Sequence, residues 1–357
     1  MIVIGHLDSG IQSSLPAFTG RLDSFKDFTG QTCPLEDAVG HGTATASVIA
    51  SLVPDAHFWV AKCTGAGHDI SRLLQGLDWL AQSSVKVICM PVGIPGVQPV
   101  FKGIINYLSQ LGKLVVVPIG NSHCHSPGVY PNVLSVGAAN AKGGPAGFSP
   151  RYVLHSRCLK PEVLTPGIRI KVLETTGEEV LAQGTSYACA TASAYAARLY
   201  EQFPNVSPAH MIRAITESAD QRPRTRSVGG NMQYHAAFEW LEKHPDGELA
   251  PIPAPIESFR APYLIRLLAI ESSDLRCVLI AKDGCSPEQI KFNIERAESE
   301  FGRELKEKQF LADGRTVLLK GNNTLLQAII ELEWVQVASA SQPDPHPGPF
   351  SFNKVYR

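Results

Sequence analysis

The sequence predicts an α/β fold, a parallel sheet with helices on both faces, followed by a smaller α+β unit, and three observations support this. Short apolar runs alternate with helical patterns from residue 2 to about residue 243, the rhythm of β-α-β units. Several of those runs end in a polar side chain within a turn, the position where open α/β sheets place their chemistry. A Pro-rich stretch, Gly247 to Ile256, then separates this part from a shorter series of strand and helix patterns.

The elements follow in order. Ile2 to Leu7 is an apolar run that reads as a buried parallel strand, and Asp8-Ser9-Gly10 turns the chain out of it. Asp8 there is either a turn former or a reactive carboxylate. Gly40-His41-Gly42-Thr43 opens a helix through Leu52, its glycines leaving room beside the imidazole; a capping histidine is the plainer alternative. Strands and helices then alternate: His57 to Lys62, Ser71 to Ala81, Val85 to Met90, Val100 to Leu111 and Leu114 to Pro118. The last of these strands exits through Ile119-Gly120-Asn121. Val133 to Gly137 is a further strand, and Ile170 to Leu173 with Val180-Leu181 reads as a hairpin. Helices are expected from Ser186 to Phe203, from Ala209 to Ser218 behind an N-terminal Pro208, and from Tyr234 to Lys243.

Composition narrows the function. The chain has 357 residues, 44% hydrophobic and 18% charged, as in soluble globular proteins. A formal net charge of −1 offers no basic field for nucleic acid or an anionic membrane. No apolar run approaches the roughly 20 residues needed to span a bilayer, and the N-terminus lacks the pattern of a signal peptide. Eight cysteines without CxxC pairs then favour reduced thiols and a cytoplasmic location.

Gly184-Thr185-Ser186 stands at the head of a helix rich in alanine. By itself this is most simply an N-cap. A serine so placed also projects from an exposed corner, where backbone N–H groups favour negative charge. Asp8-Ser9-Gly10, His41-Gly42-Thr43, Gly120-Asn121 and Gly184-Thr185-Ser186, taken in this order, resemble the subtilisin-like serine proteases, or subtilases. The Asp, His, Ser order is subtilisin's own. The resemblance covers residues 1 to about 244, including the closing segment Gly229 to Ala237.

What the resemblance implies is a Ser-His-Asp endopeptidase. Ser186 would be the nucleophile, His41 its base, Asp8 the group holding His41, and Asn121 an oxyanion-hole donor with the Ser186 N–H. Pro91-Val92-Gly93 would pair with an extended peptide or protein substrate. Pro118-Ile119-Gly120 would line the pocket for the side chain before the cut, with Ile119 narrowing it. The same acyl-enzyme could pass to an amine, making a peptide ligase or macrocyclase, and a silent binding protein of the same fold is the third reading. Tyr187-Ala188-Cys189-Ala190 and Ala44 depart from the family pattern without removing a catalytic group. His123-Cys124-His125 fits no tetrahedral metal site and reads as a loop rim. No cofactor is expected; calcium occurs in the family, but its loops do not map onto this sequence.

Four units are expected: a catalytic domain 1–245, a linker 246–261, a small domain 262–340 and a tail 341–357. The small domain reads as strand Leu275 to Ala281, helix Pro287 to Phe301, strands Glu304 to Leu311 and Thr316 to Leu319, helix Thr324 to Leu332 and strand Val335 to Ala338. This β-α-β-β-α-β order is ferredoxin-like and resembles the subtilase prodomain, moved to the C-terminus. The expectation is an intramolecular inhibitor or chaperone in place of the N-terminal prodomain, for which the sequence before Asp8 has no room. The tail, with four prolines between Gln342 and Phe350, would lie in the cleft and resist cleavage. A docking module for a partner protein is the alternative.

Overall fold

A computed structural model describes residues 2–30, 37–65, 69–154, 158–220 and 229–245, and in the C-terminal part 275–282, 284–322, 325, 326, 329 and 335–341. The strands of the first part are β1 Ile2–Asp8, β2 Leu22–Asp27, β3 Ala56–Lys62, β4 Val87–Cys89, β5 Ile94–Pro95, β6 Leu114–Pro118, β7 His125–Ser126, β8 Leu134–Ala139, β9 Tyr152–Leu154, β10 Cys158–Lys160, β11 Val163–Pro166, β12 Ile170–Leu173 and β13 Glu179–Ala182. Its helices are α1 His41–Leu52, α2 Ile70–Ala81, α3 Phe101–Gln110, α4 Thr185–Gln202, α5 Pro208–Glu217 and α6 Tyr234–Lys243. Helix ends agree with the sequence expectation to within one or two residues, the scale at which helix ends fray.

Seven strands form the central sheet in the order β11-β8-β6-β4-β1-β3-β2, and every pairing is parallel. β6 and β8 are buried along their whole length, as strands covered on both faces must be. One face carries α1, α4, α5 and α6, the other α2 and α3. The alanines of α4 explain its place: Ala188, Ala190, Ala192, Ala194 and Ala196 are fully buried, and their small side chains let the helix axis approach the sheet closely. This is the subtilisin-like α/β fold.

Two strands of the central sheet went unrecognised in the sequence. β2 is an edge strand, Leu-Asp-Ser-Phe-Lys-Asp, without an apolar alternation. β11 follows Pro161 and ends on Pro166, prolines that an edge strand tolerates. The hairpin itself forms as expected between β12 and β13.

In the C-terminal part, β14 Leu275–Ala281, the helix Pro287–Phe301, β15 Glu307–Phe310, β16 Thr316–Gly321 and β17 Val335–Ser341 make an antiparallel sheet in the order β15-β16-β14-β17. The helix opens with a capping box, Ser286 and Gln289 satisfying each other's backbone N–H. Of the second expected helix, Leu325, Leu326 and Ile329 are described, and all three are buried. The linker 246–261 and the Pro-rich tail beyond Ser341 lie outside the described residues.

Both faces of this small sheet are apolar. Cys277, Leu279, Val317 and Leu319 pack with Ile290 and Ile294 of its own helix. Val278, Ile280, Leu311 and Leu318 point the other way and join the core formed by α2 and α3. Two polar contacts flank that junction. Gln75 Nε2 donates to Gln309 Oε1 at 2.6 Å, and the Ala312 N–H donates to Asp78 Oδ1 at 2.7 Å.

Candidate active site

β1 lies inside the sheet between β3 and β4, and its last residue, Asp8, is fully buried. α1 begins at His41 directly above it. A Cβ on Gly42 would lie 2.1 Å from the Gly10 carbonyl oxygen, so only glycine lets α1 approach the turn after β1 this closely. The Gly42 N–H donates to Ser9 Oγ at 2.9 Å, tying helix to turn. The Asp37 carboxylate anchors the start of α1, accepting from the N–H groups of Gly40 and Thr43 at 2.8 and 2.7 Å and from Thr43 Oγ1 at 2.7 Å.

These constraints bring His41 Nδ1 within 2.9 Å of Asp8 Oδ1 and 2.8 Å of Oδ2. The imidazole stays 18% exposed, open to a ligand from one side. Asp8 also accepts from the Ser9 N–H at 2.7 Å and from Thr45 Oγ1 at 3.0 Å. Burial alone would push the carboxyl up and the imidazole down. Their mutual attraction and hydrogen bonding overturn both effects, holding Asp8 below its ordinary 3.8 and His41 above its ordinary 6.5.

Ser186 is the second residue of α4 and half-buried. The Tyr187 ring centroid is 6.2 Å from that of His41, which sets the first turn of α4 beside the imidazole. Asn121, beyond the end of β6, accepts through Oδ1 from the Thr185 N–H and hydroxyl at 3.0 and 3.1 Å. With Oδ1 so engaged, Nδ2 is the end of the amide left to donate; a Cβ on Gly184 would sit 3.7 Å from it. Asp8, His41, the turn bearing Ser186 and Asn121 thus meet at the carboxyl edge of the sheet.

Pro91, Val92 and Gly93 follow β4, and Pro118, Ile119 and Gly120 close and follow β6; all six are buried. Ile119, expected to narrow a pocket, places its side chain in the core of α2 and α3. The His125 side chain stands between the two segments instead. A Cβ on Gly93 would come within 3.0 Å of His125 Cβ, and one on Gly120 within 2.9 Å of His125 Cδ2. The His125 N–H donates to the Ile119 carbonyl at 2.8 Å. His125 belongs to β7, paired with β5. Among the described residues no group of three or more His, Cys, Asp or Glu side chains is placed to hold a metal ion.

Besides Asp37, two residues of this region escaped the sequence reading. His6 is fully buried, its Nε2 lying 3.1 Å from Thr45 Oγ1. Their spacing carried a signal: two residues before Asp8 on a strand, and four after His41 on a helix, fall on the faces those residues occupy.

A parallel α/β sheet bearing Asp, His and Ser in that chain order at its carboxyl edge is the architecture of subtilisin-type proteins. Residues 1–236 match the Subtilase family, and the chain belongs to that family. It is 27% identical over 237 residues to Subtilisin E of Bacillus subtilis (strain 168), the match covering 61% of this chain and 60% of that protein's length. Among solved structures it resembles the protease domain of PatA, with a TM-score of 0.60 at 21% identity, covering 70% of this chain and 97% of that one. The prenylagaramide maturation protease PagA is similar at a TM-score of 0.57 and 20% identity, covering 67% and 93%.

Proposed function

We propose that this subtilase is a serine endopeptidase that cleaves peptide or protein substrates through an acyl-enzyme. The observation that carries this is the buried Asp8 carboxylate bonded at 2.8 Å to His41 Nδ1, beside the helix turn that bears Ser186. In the proposed reaction Ser186 Oγ attacks the scissile carbonyl as His41 Nε2 takes its proton. Asp8 keeps the Nδ1–H tautomer and stabilises the imidazolium. Negative charge on the former carbonyl oxygen is met by Asn121 Nδ2 and the Ser186 N–H. The imidazolium returns its proton to the leaving amine, and water repeats the sequence on the ester.

An extended substrate running beside Pro91–Gly93 suits this reading, since main-chain pairing grips many sequences. Release of the acyl group to an amine, giving ligation, uses the same residues; mass spectrometry of products from model peptides separates the two outcomes. PagA, alike in fold, is a prenylagaramide maturation protease, and a substrate that awaits maturation is the first class to test. The C-terminal domain is proposed to restrain the enzyme, a reading supported by its element order and by its packing on α2 and α3.

An active-site-directed fluorophosphonate tests the central claim. Labelling of the wild type, lost in Ser186→Ala, is expected. Equal labelling of both would remove Ser186 as the nucleophile, and no labelling even after removal of residues 246–357 would leave only a binding role.

A further inference from the structure

Side chains alternate across a strand, so His6 and Asp8 point to the same face of β1, the one α1 covers. On α1, His41 and Thr45 are one turn apart and share the face turned to β1. Four polar side chains therefore meet: His41 on Asp8, and Thr45 on both Asp8 and His6. Thr45 Oγ1 has four neighbours within bonding distance. They are Asp8 Oδ2 at 3.0 Å, His6 Nε2 at 3.1 Å, and the carbonyls of His41 and Gly42, each at 3.1 Å.

A hydroxyl has one proton and two lone pairs. The carboxylate is the strongest acceptor among those neighbours, so the proton belongs on that bond. Oγ1 must then accept from His6, which places a proton on His6 Nε2. In the other tautomer His6 would take the hydroxyl proton and turn an oxygen lone pair towards Asp8 in a buried site. His6 Nδ1 settles the matter independently. It is buried with no hydrogen-bond partner among the described residues, so an N–H there would be an unsatisfied donor, in that tautomer and in the imidazolium alike.

We infer that His6 and Thr45 are a positioning pair behind the Asp8–His41 couple, His6 as the neutral Nε2–H imidazole fixing the Thr45 hydroxyl so that it donates to Asp8. This rests on the catalytic reading proposed above. The charged groups facing His6 are Asp8, Asp37 and His41; Cys89 stands opposite it on β4, and the Phe58 ring meets it edge-on at 6.2 Å. Burial, the largest influence, and His41 hold the imidazole below its ordinary 6.5 against the pull of the two carboxylates. Removing the Thr45 donor makes the Asp8 carboxylate more basic and tightens its hold on the His41 Nδ1 proton. The imidazole becomes easier to protonate, and the acid limb of reactivity moves to higher pH.

The rate of fluorophosphonate labelling against pH, measured on the full-length protein, reads this directly. Thr45→Val is expected to move the acid limb upward and lower the plateau rate roughly tenfold, the order for one charge-assisted hydrogen bond. Thr45→Ser keeps the hydroxyl and restores both. Adding His6→Val to Thr45→Val rebuilds an apolar pair, recovers thermal stability and shifts the limb no further, because His6 acts through Thr45. Nitrogen NMR of the His6 ring is expected to report neutral Nε2–H throughout the range in which the fold is stable. An unmoved limb and plateau in Thr45→Val, with only its melting temperature lowered, would overturn the pair as a positioning device, as would an Nδ1–H or titrating His6. If Ser186→Ala labels like the wild type, the triad itself fails and the pair falls with it; Ser186-dependent labelling with an unmoved limb sinks the pair alone.

Discussion

In the proposed reaction Asn121 and His41 divide the chemistry at the residue scale, and each leads to a measurement. Asn121 is oriented by Thr185, so Asn121→Leu removes a prepared donor without touching the base. The expected result is a fall in kcat of about 10²–10³, the range known from subtilisin's own oxyanion asparagine, with KM little changed. His41 must be neutral to act as a base, and Asp8 holds its affinity for protons above the ordinary value of 6.5. Activity should therefore fall as pH drops through that raised value, and kcat/KM against pH gives the midpoint. Asp8→Asn should move that midpoint down. The same pair couples to folding with opposite signs. The Asp8 contribution is present above its unfolded value and lost as pH falls through its lowered folded value; the His41 contribution is present below its unfolded value and lost as pH rises through its raised folded value. Much of this was legible in the sequence, because Asp8, His41, Asn121 and Ser186 each sit at a strand exit or helix start. His6 and Thr45 were not, since each looks ordinary until β1 and α1 are laid against one another.

Elements hold these groups by close contact and by buried charge. Gly42→Ala would drive a methyl group into the Gly10 carbonyl, and α1 would have to lift from the turn after β1. A destabilisation of about 1–3 kcal/mol is expected, with loss of kcat as His41 moves off Asp8, read by thermal melts and labelling rate together. At the other end of the sheet Lys160, fully buried, pairs with Glu162, whose second oxygen accepts from the Ser135 N–H at 2.8 Å. Glu162→Leu strands that ammonium and should cost about 3–5 kcal/mol in denaturant unfolding, whereas the double change with Lys160→Met should recover much of the loss. Helices and interior strands were readable from apolar periodicity. β2 and β11 were not, because an edge strand need bury only part of itself and tolerates charge and proline.

For the whole molecule, the question is what the C-terminal sheet does on α2 and α3. Ile280 is 5% exposed at that junction. Ile280→Asp buries an unpaired charge there and should release the domain while leaving the site residues in place. If the domain restrains the enzyme, labelling and peptide cleavage rise; unchanged rates in protein shown by limited proteolysis to be undocked would sink that role. Removal of residues 246–357 should give the same gain in rate and also lower soluble yield, because the apolar faces of α2 and α3 meet water.

By itself the sequence determined the helices, the interior strands and the chemical character of the groups at their ends, because periodicity, glycine and proline act over a few residues. Only the tertiary structure decided that residues 8, 41 and 121 come together with the helix turn at 186, that a second histidine stands behind the first, and what covers α2 and α3. Alternation in a strand reveals that two faces are apolar, as in β14; one packs on the helix that follows it, but the partner of the other, α2 and α3, is set by long crossings of the chain. Local patterns carry no record of those crossings.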